Sequence, residues 1–192
     1  MKALRIVFKV LVWLLVLGAI AFVGLKAYDM VRRDYLYPVK YEKLVEKYAR
    51  EYSLSPALVY GVIKTESDFD KDAVSRAGAV GLMQIMPSTF EYLVTLTGEE
   101  YDPSRLTDAE TNIRYGCLQL SRMQNRFGEG DAMLAAYNAG EGRVAEWLQN
   151  PAYGKDGKLV NIPLDETRAY VERVTEHTKT YIALYGAEKE WN

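Results

Sequence analysis

Two hydrophobic patterns follow one another along the chain. Between Ile6 and Leu25 nearly every position is apolar, with Lys9 as the charged exception. From Tyr41 onward, apolar positions recur every three or four residues, the spacing of helices that bury one face. YEKLVEKYAREY, from Tyr41, sets Leu44, Val45 and Tyr48 on one side. SPALVYGVIKTES follows, with Ser55 at the N-cap and Pro56 at the first helical position, where its missing N–H costs nothing. PSTFEYLVTL opens at Pro87 and is closed by Gly98. TDAE at 107–110 predicts a capping box, which starts a long helix carrying Ile113, Cys117, Leu120 and Met123 on one stripe. DAMLAAYNAG stops at Gly140, GRVAEWLQN ends at Pro151, and DETRAYVERVTEHTKTYIALYG ends at Gly186. KLVNIP, from Lys158, reads as a short extended piece. The expected fold class is all-α.

The apolar span from Ile6 to Leu25 covers 20 residues, the length that a bilayer-spanning helix needs. Lys9 can snorkel toward the headgroups. A cleaved signal peptide is the competing reading, with AIA at 19–21 as its cleavage site, but FVGL carries the apolar run past that point. A retained anchor is expected. Residues 1–28 then form the N-terminal membrane anchor (or signal peptide), residues 29–38 a juxtamembrane stem, and residues 39–192 the body. Lys2, Arg5 and Lys9 favour a cytoplasmic N-terminus, although Lys26, Arg32 and Arg33 follow the span. The expected place is the cell membrane, crossed once through residues 6–25, with the body outside the cytoplasm.

Charge and rare residues narrow the chemistry. Residues 1–33 hold six Lys/Arg and one acid, leaving 18 basic and 25 acidic residues in the rest, a net of −7. An acidic body argues against nucleic acid as a partner. Any anionic polymer would have to be held by local contacts. Cys117 is the only cysteine, so no intrachain disulfide forms, and His177 is the only histidine. Histidine triads and the usual zinc ligand sets are excluded. No metal and no cofactor are expected, and the chemistry falls to carboxylates, hydroxyls and amides.

Glu66 is the candidate. It falls at the C-terminal end of a predicted helix, where the helix dipole disfavours an ionised carboxylate. Burial would raise its pKa further, toward what a general acid requires. A solvated glutamate at a fraying helix end is the plainer alternative. The following stretch, ESDFDKDAVSRAGAVGLMQIMP at 66–87, has no charge from Ala77 to Met86 and places Gly78 and Gly81 in that run. Gly81 suits a close backbone approach, and the Gln84 amide suits sugar hydroxyls and N-acetyl groups. A tight glycine turn leading into the Pro87 helix explains the same residues without a ligand. AYNAG puts Tyr137 and Asn138 just before a helix stop, where Tyr137 can stack, donate a hydrogen bond, or simply fill an interface.

Taken in order, ES at 66–67, Ser75, GLMQIMP at 81–87, AYNAG at 136–140 and ETRAYV at 166–171 resemble the soluble lytic transglycosylase catalytic domain, glycoside hydrolase family 23, of lysozyme-like fold. The resemblance runs from about residue 39 to 186. It implies cleavage of the β-1,4 bond between N-acetylmuramic acid and N-acetylglucosamine in peptidoglycan, with a 1,6-anhydro product end. It implies Glu66 as the acid and base, and Ser75, Gln84, Met86, Tyr137 and Asn138 along the sugar cleft. Tyr170 would reach the site from the last helix. Glu166 and Arg168 look structural. Leu164 departs from the aromatic residue that the family often carries before ETR. Asp68, Asp70 and Asp72 read as turn and capping residues, so the expected mechanism uses the substrate's own 6-hydroxyl instead of a second carboxylate. The alternatives are a hydrolytic lysozyme of the same fold, or a weakly catalytic wall-binding module serving cell-wall assembly partners.

Overall fold

The computed structural model describes residues 2–186, 189 and 191. It divides into two compact units, Met1–Val39 and Lys40–Asn192.

The first unit is one helix, α1 (Lys2–Val31), followed by a π-helical turn at Arg32–Leu36. At about 1.5 Å per residue, 30 residues reach roughly 45 Å. The helix runs through Lys26 and into the predicted stem. An i,i+4 pair between Arg33 and Asp29, at 3.5 Å, supports that extension. Its large apolar side chains, among them Trp13, Leu15, Phe22 and Leu25, are exposed within this unit. Among the described residues, Leu11–Leu36 is the one segment long and apolar enough to cross a membrane.

Among the described residues, the regular structure of the second unit is helical apart from one hairpin and two isolated bridges, Val74 with Val80 and Val80 with Ile85. Its helices are α2 (Glu42–Glu51), α3 (Pro56–Glu66), α4 (Pro87–Thr97), α5 (Ala109–Phe127), α6 (Asp131–Ala139), α7 (Glu141–Gln149) and α8 (Asp165–Tyr181). The strands β1 (Gly154–Lys155) and β2 (Lys158–Leu159) pair antiparallel, Gly154 opposite Leu159. Only the first two residues of KLVNIP are therefore extended in a ladder.

Two packing features position the site. The first joins α3 to α8. A Cβ on Gly61 would stand 3.0 Å from the Val174 carbonyl oxygen, so glycine there lets the two backbones close up. Tyr60 and Tyr181 stack at 5.0 Å beside this contact. The second is the burial of α5. Ile113, Cys117, Leu120 and Met123 are buried, as their spacing predicts, and Asn112, Tyr115 and Gly116 are buried with them. Burial pushes the Cys117 thiol pKa up, which leaves it an inert core side chain.

Two local expectations need correction. Thr107 does not cap α5; it ends a 3₁₀ turn at Pro103–Thr107, and Asp108 is the N-cap, accepting from the Thr111 N–H at 2.8 Å. Glu110 makes no capping box because Lys47 Nζ, at 2.8 Å, and the Tyr48 hydroxyl, at 2.7 Å, hold its carboxylate. Ser55 does precede α3, but its hydroxyl caps nothing and is buried without a partner. The last helix changes to a π-helical turn at Ile182–Gly186.

Candidate active site

Glu66 is the last residue of α3 and is half-buried. Its carboxyl is raised to about 7, first by burial; Tyr170 and the Arg173 charge, both on α8, act the other way. The Tyr170 hydroxyl is wholly buried. It interacts with the Glu66 carboxyl without reaching full hydrogen-bond geometry, and among the described residues no other group satisfies it. Burial also pushes the Tyr170 and Tyr137 hydroxyls well above the usual tyrosine range, so both stay protonated as donors.

Glu66 opens into a cleft of about 610 Å³. Ser75, Gln84, Met86, Tyr137 and Asn138 line it with Glu66, so the structure brings together six of the residues singled out in the sequence. Tyr170 does not line the cleft; it sits in the core behind Glu66. Asp68, Asp70 and Asp72 stay out of the cleft. Asp68 pairs with Lys64 at 2.5 Å, Asp72 pairs with Lys71 at 2.8 Å, and Asp70 accepts from the Asp72 N–H at 3.0 Å, as turn residues do.

The wall between Val80 and Ile85 is a folded loop with its polar backbone satisfied from several sides. The Asn112 Oδ1 accepts from the Met83 N–H at 2.8 Å, and its Nδ2 donates to the Val80 and Leu106 carbonyls at 2.9 and 2.8 Å. Ser67 Oγ donates to the Leu82 carbonyl at 2.9 Å. The Tyr137 hydroxyl donates to the Met83 carbonyl at 2.9 Å. Gln84, at φ 49°, donates its Nε2 to the Ala73 and Gly81 carbonyls at 3.1 and 2.9 Å.

Three sequence expectations change here. Gly81 does not leave room for a sugar. It is buried at φ 83°, and a Cβ on it would stand 2.6 Å from the Leu106 carbonyl oxygen and collide with Asn112. The close approach is to the start of α5. Gly78 is a turn residue at φ 89° whose N–H donates to the Ser75 carbonyl. Tyr137 and Gln84 line the cleft but use their donors on the loop. Third, Glu166 is no purely structural residue: it lines the cleft. Arg168 is structural, donating to the Ile162 carbonyl at 3.2 Å and to Asp165 at 2.6 Å.

Asn112, Gln119, Thr89 and Arg76 escaped the sequence reading. Gln119, Thr89 and Arg76 line the cleft from separate segments. Asn112 sits among apolar neighbours on the buried side of α5, and an asparagine at a core position was the available signal. Asn138 reaches the cleft from the end of α6 and accepts from the buried Thr167 hydroxyl at 2.9 Å, which ties α6 to α8. Among the described residues no cluster of His, Cys, Asp or Glu could hold a metal.

The profile of the Transglycosylase SLT domain matches residues 43–160. The chain belongs to the transglycosylase SLT family. Among curated relatives, the soluble lytic murein transglycosylase of Salmonella typhimurium is 34% identical over 166 residues, which cover 81% of this chain and 26% of that protein. The membrane-bound lytic murein transglycosylase C of Haemophilus influenzae is 36% identical over 122 residues, 58% of this chain and 34% of that one. Among solved structures, an inactive mutant of the lytic transglycosylase Slt from Pseudomonas aeruginosa superposes with a TM-score of 0.71 at 32% identity, covering 79% of this chain and 25% of its own. This SLT chain thus spans about a quarter of the length of the first curated relative. Its helical body has the fold of those enzymes.

Proposed function

We infer that the protein is a membrane-attached lytic transglycosylase acting on peptidoglycan. The observation that carries this reading is Glu66: a carboxyl at the edge of a cleft of about 610 Å³, raised to about 7 by burial so that a large fraction holds its proton near neutral pH, and backed by a buried tyrosine hydroxyl. Family membership supports the substrate.

In the first step the Glu66 carboxyl donates its proton to the glycosidic oxygen, and the bond from that oxygen to the muramic acid C1 breaks. Glu66, now ionised, takes the proton of the muramic acid 6-hydroxyl. That oxygen bonds to C1 and closes the 1,6-anhydro ring. Glu66 ends protonated, ready for another cycle. The Tyr170 hydroxyl stabilises the transient carboxylate, and the Arg173 charge does so from further off. Ser75, Gln84, Met86 and Asn138 offer the polar and apolar contacts that hold sugar rings and N-acetyl groups beside Glu66. No metal or cofactor enters this scheme.

Glu166 favours a second reading. A second carboxylate in the cleft is what a hydrolytic lysozyme would use to activate water. Mass spectrometry of digested peptidoglycan separates the two readings. Anhydro ends support the transglycosylase, and reducing ends the hydrolase. Glycan binding without cleavage would mark a wall-binding module.

The apolar α1 supports attachment through residues 6–25, with a cytoplasmic N-terminus, one crossing, and the body outside the cytoplasm. The relative from Haemophilus influenzae, by its name, is also membrane-bound. Membrane fractionation in high salt tests the attachment, and protease access on intact cells tests the topology.

A further inference from the structure

Apart from tyrosines, the polar side chains buried among the described residues are Thr111, Asn112 and Thr167. Thr111 and Asn112 belong to the start of α5, where Asn112 clamps the cleft wall. Thr167 stands elsewhere. It lies in the first turn of α8 and is 2% exposed.

The position of Thr167 along α8 explains where its hydroxyl goes. Further on in the same helix, Thr178 and Thr180 turn back on their own backbone and donate to the Val174 and Glu176 carbonyls, at 2.7 and 3.0 Å. That bond reaches four residues back, and a threonine in the first turn has no carbonyl of its own helix there. A buried hydroxyl needs a partner all the same. Thr167 Oγ1 therefore crosses to the end of α6 and donates to Asn138 Oδ1 at 2.9 Å.

Asn138 is the exposed member of this pair and lines the cleft with Glu66, whereas Thr167 does not. An asparagine amide has two unlike ends, an oxygen that accepts and a nitrogen that donates two hydrogens. Without a tether, an exposed asparagine turns about both side-chain torsions and offers either end. The Thr167 hydroxyl occupies the oxygen from the core side. We propose that Thr167 is a positioning residue: acting through Asn138, it holds the amide so that the Nδ2 donors, and not the oxygen, meet the glycan. The group taken there is an acceptor, a carbonyl or hydroxyl oxygen of the strand. This rests on the peptidoglycan reading above and deepens it, by giving a task in substrate placement to a residue outside the cleft.

A double-mutant cycle on the full chain in detergent tests this. Wild type, Thr167→Val, Thr167→Ser, Asn138→Ala and the combined Thr167→Val, Asn138→Ala variant are compared. Valine keeps the shape of threonine without the hydroxyl, and serine keeps the hydroxyl. In Thr167→Val, kcat/KM for release of anhydromuropeptides should fall roughly fivefold, a loss of about 1 kcal/mol. Thr167→Ser should restore most of that loss. In the Asn138→Ala background, Thr167→Val should add no further loss, because its effect runs through the amide. A threonine that only packs gives equal losses in both backgrounds, following the melting temperature. That pattern, or an unchanged kcat/KM in Thr167→Val, overturns the proposal. The same cycle is read as affinity in a Glu66→Gln background, by titration with a soluble tetrasaccharide of alternating N-acetylglucosamine and N-acetylmuramic acid, and should show the same coupling. A wild type that releases no anhydro ends sinks the functional reading, while the titration still reads the coupling of Thr167 to Asn138. Failure of the Glu66→Gln chain to bind the tetrasaccharide removes both.

Discussion

Asn112, on α5, accepts the Met83 N–H at 2.8 Å and so fixes the cleft wall from the core side. The same side chain donates to the Val80 and Leu106 carbonyls, joining the loop to the 3₁₀ turn before α5. Asn112→Ala leaves the buried Met83 N–H and Leu106 carbonyl without this partner, while the Val80 carbonyl keeps the Ile85 N–H. At about 1–3 kcal/mol for an unsatisfied buried group, with partial relaxation, the expected loss is about 2–4 kcal/mol in a denaturant melt. An unchanged midpoint would remove Asn112 as the clamp.

Glu66→Gln is expected to keep the fold and glycan binding while losing nearly all cleavage. Gln is near-isosteric but cannot transfer the proton, and general acid–base work is worth about 10²–10⁴-fold. Release of anhydromuropeptides at a rate close to wild type would strip Glu66 of its role.

The raised pKa also predicts a stability effect with a definite sign. Glu66 titrates near 4.5 when unfolded and at about 7 when folded, so between these values the native state holds the extra proton. Wild-type stability therefore falls as pH rises through that window, by up to about 3 kcal/mol once both states are ionised. Glu66→Gln escapes this cost. Its melting temperature should exceed wild type by several degrees at pH 8, and the gap should close at pH 4.5. An equal difference at both pH values would contradict the burial of Glu66.

Activity should carry the matching signature. Cleavage requires protonated Glu66, so kcat should decline as pH rises through about 7. A rate that keeps climbing to pH 9 would point to another acid.

Tyr170→Phe removes a buried hydroxyl that, among the described residues, interacts with the Glu66 carboxyl alone. Melting should stay within a few degrees of wild type, because no other group is left unpaired. Cleavage should slow at least severalfold, since a hydrogen bond to a charged group is worth about 1.5–3 kcal/mol. The basic limb of the pH profile should move upward, because Tyr170 lowers the Glu66 pKa. A core-packing role would give the reverse, full turnover with lower stability.

Much of the fold was legible along the chain. Helical spacing, Pro56, Pro87 and the glycine stops marked α3 to α6, because helix periodicity and termini are local physics that neighbouring residues decide among themselves. The motif order also brought Glu66, Gln84 and Asn138 forward. Their partners were not legible. Gly81 reads equally well as a sugar floor or as a turn until Asn112 and Leu106 are seen against it. Glu166 looks like any first-turn helix acid until the cleft opens beside it, and Thr107 looks like a cap until Lys47 and Tyr48 claim Glu110. The Glu66 pKa depends on Tyr170, about 100 residues away, and on burial, which no local pattern contains. Sequence spacing determines which face of a helix is apolar; only the packing of α3, α5 and α8 decides which polar groups lose water together, and that loss of water is what turns a glutamate into an acid near neutral pH.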